Sequence, residues 1–202
     1  MQPSRFVLAV LSVIWGIGIA PVSALADEQS DAIAVVERVH QTALMIAHDR
    51  ATALPAGPFQ SLRHSFDGVS IARAVLADYW ASARASERQE FVDALLDAIV
   101  YALVRRLGKH RSEDFSVVST RVISNGDILV RTRLDSPVED PITVDWRIRR
   151  CRTGLCIVDL IVGGASVSLE RRDDVAARLA ASGGSLGKLI ADLRKDLPNA
   201  SP

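Results

Sequence analysis

Residues 142–162 read ITVDWRIRRCRTGLCIVDLIV and contain two strand-like segments joined by a short turn. In the first segment apolar and polar residues alternate, which is typical of a strand with one buried face. The alternating apolar positions are Ile142, Val144, Trp146 and Ile148. The second segment, Leu155 to Val162, is apolar almost throughout and is typical of a central strand. Because the turn contains Gly154, we expect an antiparallel hairpin.

Two further strands precede this hairpin. Residues 115–123 are rich in β-branched side chains, and residues 128–134 alternate between apolar and polar. Asn125-Gly126 lies between them and is a strong signal for a tight hairpin turn. Residues 135–141 then form a loop. The sequence therefore predicts an antiparallel meander of four strands.

Helical periodicity surrounds the predicted sheet on both sides. Pro55 to Pro58 should separate the first two helices, Asp67 should cap the second, and Ser86 with Gln89 should form a capping box for the third. The predicted helices are 31–50, 67–82, 86–107, 169–181 and 185–195. An antiparallel meander with helices before and after it in the chain indicates a single α+β domain.

The N-terminus has the pattern of a signal peptide. Arg5 precedes an uncharged run, Phe6 to Ala20, and the segment ends in Ala24-Leu25-Ala26, a typical signal-peptidase site. Cleavage after Ala26 would leave a mature domain, residues 27–202. The uncharged stretch is also long enough for an uncleaved membrane anchor, which is the competing interpretation.

Composition excludes several classes of protein. The 202 residues carry 24 Lys and Arg against 24 Asp and Glu, so the basic excess expected of a nucleic-acid-binding domain is missing. Aromatic residues make up 5% of the chain, and its apolar content is mainly aliphatic. We therefore expect no nucleic-acid partner.

Cys151 and Cys156 are the two cysteines of the chain. In an exported protein, a pair that flanks a hairpin turn is first a candidate for a disulfide. Free thiols and a redox pair are the alternatives, although redox motifs usually have two intervening residues at the start of a helix.

No arrangement typical of catalysis is evident. Ser185 lies in a Gly-x-Ser-x-Gly match but follows a predicted helix rather than a strand, so it should cap a helix. Asp145 and Asp159 lie on neighbouring strands, where ion pairs or hairpin hydrogen bonds are the expected role. The four histidines should face solvent, at positions 40, 48, 64 and 110. We expect no enzymatic activity, no cofactor and no metal site.

Several segments, in this order and spacing, resemble the MlaC-type family of periplasmic lipid shuttles, also called toluene-tolerance auxiliary proteins. The resemblance covers roughly residues 66–195. The matching segments are Phe66-Asp67, Ile71-Ala72, Leu76, Tyr79-Trp80, 86–91, 144–147, 157–162, 164–168 and the tail from Arg171 through Asp174 to Leu193. The hopanoid-associated HpnM-type branch fits the Phe66-Asp67 and Tyr79-Trp80 segments at least as well.

The resemblance implies a fold and a function. Members have a curved, NTF2-like antiparallel sheet whose helices enclose a hydrophobic cavity. They carry a phospholipid through the periplasm, and members of the HpnM-type branch are expected to carry another lipid. Their transient partners are an outer-membrane lipoprotein complex and an inner-membrane ABC transporter. An exported protein-interaction module with a filled core is the alternative function, and an exported hydrolase is a third.

Apolar positions on the sheet and its facing helices are the candidates for contact with a lipid. They are Val75, Leu76, Tyr79, Leu95, Ile99, Leu103, Val130, Val144, Trp146, Ile161 and Val167. Among these, Val130, Val144, Ile161 and Ile99 are expected to point inward.

Overall fold

The computed structural model describes residues 22–49, 56–107, 114–136, 140–195 and 197. The predicted signal peptide before Val22, and His110, lie outside the described residues. The helices are α1 (Val22–His48), α2 (Ala56–His64), α3 (Gly68–Leu76), α4 (Tyr79–Ser82), α5 (Ala85–Leu107), α6 (Val167–Ala181) and α7 (Leu186–Lys195). The strands are β1 (Phe115–Val122), β2 (Ile128–Leu134), β3 (Ile142–Cys151), β4 (Gly154–Val162) and β5 (Ala165–Ser166).

The strands form an antiparallel meander in the order β1-β2-β3-β4-β5. Gly126 has a φ of 83°, which allows the tight turn predicted between β1 and β2. The predicted sheet had four strands; the fifth, β5, has two residues and pairs with the end of β4. β4 is therefore not the central strand that its apolar sequence predicted. The segment before α3 covers part of its outer edge through a parallel bridge between Phe66 and Ile157.

The two faces of the sheet differ in chemistry. Val130 pairs with Trp146, and Ile128 with Ile148, so these side chains share the inner face, which the helices cover. Directly opposite residues share a face, and the neighbouring Arg131 and Asp145 therefore lie on the outer one. The Trp146 Nε1 group donates to the Thr132 hydroxyl at 2.8 Å, which satisfies the polar group that this residue brings into the core.

A β-bulge in β4 changes which residues face inward. Ile148 pairs with Ile157, whereas the adjacent Arg147 pairs with Asp159, so Val158 is an extra residue. One extra residue reverses the alternation beyond it. Ile161 consequently lies opposite Asp145 on the outer face, and the prediction that it points inward is wrong. Leu160, opposite Trp146, takes the inward position.

The helices differ from the prediction mainly at their boundaries. α1 begins at Val22 rather than at residue 31, because residues 22–30 contain neither Gly nor Pro and are mostly good helix formers. α2 was not predicted, since Pro58 was interpreted as a breaker. A proline in the first turn of a helix is well tolerated, because the amide it lacks would have no helical partner.

The predicted helix 67–82 is two helices. Asp67 caps α3 as expected, since its carboxylate accepts a hydrogen bond from the Ser70 amide at 3.0 Å. Ala77 then has a φ of 48°, which ends α3 before α4 begins. α5 begins at Ala85, and Glu87 rather than Gln89 caps it, by accepting the Arg84 amide at 3.0 Å.

Candidate functional site

A small apolar void lies between β4 and the helices that cover it. Its volume is about 20 Å³. Its walls come from the segment before α3, from α3, α5 and α6, and from β4. The lining residues are Phe66, Ile71, Ile99, Ile157, Asp159, Leu160, Val167 and Ser168. A void of this size has room for about one water molecule and is far too small for an acyl chain. In this conformation the inner face of β4 is therefore closed.

Asp159 holds the start of α6 against β4. Its carboxylate accepts hydrogen bonds from the Ser166 hydroxyl at 2.6 Å and from the Ser168 amide at 3.2 Å. It also accepts from the Leu160 amide at 2.9 Å. Asp159 thus has a structural role, as predicted. Its hydrogen bonds hold the start of α6, and with it Val167, in the wall of the void.

Asp145 has a structural role of a different kind. Arg131 donates to both of its carboxylate oxygens, from Nε at 2.6 Å and from Nη2 at 2.7 Å. Such two-point pairing fixes both groups on the outer face of the sheet. The prediction of an ion pair is confirmed.

The predicted lipid-contacting residues fall into three groups by exposure. Those fully inside the core are Val75, Leu76, Leu95, Val130 and Trp146. The half-buried ones are Ile99, Leu103, Val144, Ile161 and Val167. Tyr79 is exposed, with 38% of its surface accessible. Ile99 and Val167 are brought together on the wall of the void.

The half-buried apolar side chains of the inner face continue beyond the void. Val144 pairs with Val162, and Val162 is 41% exposed although it lies on this face. Leu103 and Val144 pack against the core and remain partly accessible. The inner face is thus solid around Val130 and partly open at the end of β4.

Sequence reasoning placed Ile99 and Val167 at the site but missed the other residues that line the void: Phe66, Ile71, Ile157, Asp159, Leu160 and Ser168. Leu160 was missed because no Gly or Pro in the sequence marks the bulge at Val158. The signal available was Asp159, since a carboxylate inside an apolar run is more easily satisfied on the outer face. Phe66 belongs to the short segment that pairs with β4, a long-range contact that no local pattern indicates.

The cysteine pair forms a disulfide across the turn between β3 and β4, as predicted. It closes the turn end of the hairpin, and Cys156 directly precedes Ile157, which lines the void. The described residues contain no cysteine outside this pair.

His40 does not face solvent as predicted, because α1 packs it into the fold. Its side chain is buried and stacks on the Phe115 ring at a centroid distance of 3.9 Å. Burial lowers the pKa of His40, which favours the neutral form. His48 and His64 are exposed, as predicted.

Ser185 has the capping role that the sequence predicts. Its hydroxyl accepts the Lys188 amide at 3.4 Å at the start of α7, and α6 rather than a strand precedes it. Within the described ranges, no three His, Cys, Asp or Glu side chains are grouped so that they could bind a metal. None of the helices described combines the length and the apolarity needed to cross a bilayer.

Comparison with known proteins places this arrangement in a family. A sequence model of the MlaC protein family matches residues 34–195. The chain belongs to the MlaC family. The match spans α1 to α7 and includes every residue that lines the void.

A solved structure shares the MlaC fold seen here. It is a phospholipid-binding protein from Ralstonia solanacearum in complex with a phospholipid. The two chains are 17% identical, and the alignment has a TM-score of 0.66 over 83% of this chain and 95% of the other. At this identity the likeness establishes the fold. No curated protein matches this MlaC chain.

Proposed function

We propose that this chain is a periplasmic lipid carrier that moves a phospholipid, or a hopanoid, between the outer and inner membranes. The observation that carries the proposal is the partly open end of the inner face at Val144 and Val162, in a chain of the MlaC family. The phospholipid bound to the Ralstonia protein supports the same ligand class.

Carrying a lipid requires an apolar space and no chemistry. Two acyl chains of about 15 methylenes each would cost ~24 kcal/mol to expose to water, at ~0.8 kcal/mol per buried CH₂. Aliphatic side chains supply such an environment, and bond making or breaking is not needed. We therefore propose a binding protein without enzymatic activity.

Loading requires an opening, because the void of about 20 Å³ cannot hold an acyl chain. We propose that α3, α5 and α6 move away from the end of β4. The acyl chains would then contact Ile99, Leu103, Val144 and Val167. The buried positions Val75, Leu76, Leu95, Val130 and Trp146 would remain the supporting core.

The partners and the location follow from the family resemblance. We propose transient docking to an inner-membrane ABC transporter and to an outer-membrane lipoprotein complex. Residues 1–26 would be removed on export, leaving one domain that begins at Asp27. The mass of the mature protein, released by osmotic shock, tests this cleavage directly. A mass that retains Phe6 to Ala20 would instead identify an anchor.

A protein-interaction module with a filled core is the second candidate. The small size of the void and the complete burial of Val130 favour it. A transfer assay separates the two functions. Labelled phospholipid in donor vesicles should reach acceptor vesicles at a rate proportional to the concentration of the protein. A rate that does not rise with added protein would support the module.

A further inference from the structure

A second space, a cleft lined by both apolar and charged side chains, lies beside the apolar void. Its volume is about 740 Å³, and it separates α2 and α5 from the disulfide-closed end of the β3–β4 hairpin. Its floor is apolar and includes Gly68, Val92 and Leu96. Phe66 lines both spaces. The cleft and the void are thus neighbours that share Phe66 in their linings.

The backbone around Phe66 is anchored, whereas the ring is held by packing alone. The Asp67 amide donates to the Ile157 carbonyl at 2.9 Å, and the Ile157 amide donates to the Ser65 carbonyl at 2.8 Å. These bonds fix the chain on both sides of Phe66. A change in the rotamer of Phe66 can therefore connect the two spaces without breaking the contact with β4.

The helix wall of the cleft presents a carboxylate, Asp93, that is ion-paired with Arg63. Asp93 accepts a hydrogen bond from Arg63 at 2.7 Å and one from the Gln89 amide group at 3.3 Å. Its side chain nevertheless remains 45% exposed. The carboxylate is held in position by its neighbours and keeps an accessible side toward the cleft.

The hairpin wall presents a cation. Arg152 lies in the exposed turn between the two disulfide-bonded cysteines, next to Thr153. It makes no ion pair with any residue of the described ranges, whereas Arg150 beside it pairs with Glu28 at 2.7 Å. The disulfide limits the movement of this turn. An available guanidinium therefore lies across the cleft from the Asp93 carboxylate.

We propose that this cleft binds the zwitterionic headgroup of a phospholipid whose acyl chains pass Phe66 into the apolar space. Arg152 binds the phosphate, since a guanidinium pairs well with phosphate oxygens. Asp93 binds the ammonium group. This inference rests on the proposed carrier function and adds a headgroup preference to it: the protein takes up phosphatidylethanolamine more readily than phosphatidylglycerol, which has no ammonium group.

The test measures lipid uptake from equimolar vesicles of phosphatidylethanolamine and phosphatidylglycerol by mass spectrometry of the re-purified protein. Arg152→Glu should lower the uptake of both lipids by about fivefold, the size expected for an exposed charge pair. Asp93→Asn should lower the ratio of phosphatidylethanolamine to phosphatidylglycerol. Arg172→Glu on the exposed face of α6 is the matched control and should change neither.

A photo-crosslinking headgroup analogue tests the same site in the unmodified protein, independently of how the variants fold. Adducts should map to residues 60–64, 89–93 or 151–153, and adducts elsewhere would overturn the headgroup site. If both cleft variants take up the lipids in the wild-type amount and ratio, the headgroup site is also overturned, whereas the carrier function still stands. Failure of the wild-type protein to take up either lipid would overturn both.

Discussion

Glutamate at two positions of the same sheet face should have opposite consequences. Val130 and Val144 both point inward, but Val130 is 0% exposed and Val144 is half-buried near the open end. In Val130→Glu the new carboxylate has no partner inside the core. An unpaired buried charge costs about 3–5 kcal/mol. At about 2–4 °C per kcal/mol for a domain of this size, the melting temperature should fall by about 6–20 °C.

Val144→Glu should leave the fold intact and remove the lipid. Its carboxylate can reach water past Val162, so the cost should be about 1 kcal/mol, part of what full burial of a valine contributes. The melting temperature should then fall by about 2–4 °C. Because a charge now borders the proposed acyl space, co-purified lipid should be lost.

Thermal melting and extraction of co-purified lipid from the same preparations measure both effects. The glutamine of Val144→Gln has nearly the same shape as the glutamate of Val144→Glu but carries no charge, so this variant should retain part of the lipid. Val118→Glu is the exposed control, since Val118 is 56% accessible in the bulge of β1, and it should match the wild type in both assays. If Val144→Glu unfolds as readily as Val130→Glu, Val144 is core. If it folds and still carries lipid normally, the acyl chains lie elsewhere.

Three further changes test the supporting structure. Although burial opposes it, hydrogen bonds from Arg149, Asn125 and Arg147 lower the pKa of Asp127 from 3.8 to about 2. The pKa of Asp127 is lower in the folded state than in the unfolded state, so its stabilising effect is complete above pH ~4 and is lost as the pH falls toward 2. Between these pH values the melting temperature of Asp127→Asn should therefore change less with pH than that of the wild type. Replacing both cysteines by serine should cost about 2 kcal/mol, seen as a lower melting temperature, and free thiols in native material would contradict the disulfide. In Gly68→Ala the new Cβ would lie 2.6 Å from Leu96 Cδ1, so denaturant unfolding should show a loss of about 1–3 kcal/mol. An equal loss in the Leu96→Ala background would show that this contact is not the cause.

Local patterns in the sequence were sufficient for the existence of β1 to β4 and for the two faces of β2 and β3. Period-two alternation predicted β2 and β3 because each has one face against the helices and one in water. Asn125-Gly126 predicted the first hairpin because its turn needs a residue with positive φ. These features depend on interactions between residues close together in the chain.

The site could be predicted only in part because its geometry depends on long-range pairing. The bulge at Val158 places Ile161 on the outer face of the sheet. Valine is an ordinary strand residue, so its presence does not indicate a bulge. Phe66 lines the void because its segment bridges to Ile157, which is distant in sequence. His40 is buried because α1 packs on β1, a contact that the polarity of histidine does not indicate.

The proposed carrier function requires that this chain binds a lipid inside its fold. Solvent extraction of the native protein, purified without detergent from the periplasm and followed by lipid mass spectrometry, tests it most directly. We expect a phospholipid or hopanoid in stoichiometric amount, which Val144→Glu lacks and Val118→Glu retains. Native protein that repeatedly yields no lipid, and acquires none when incubated with vesicles, would contradict it.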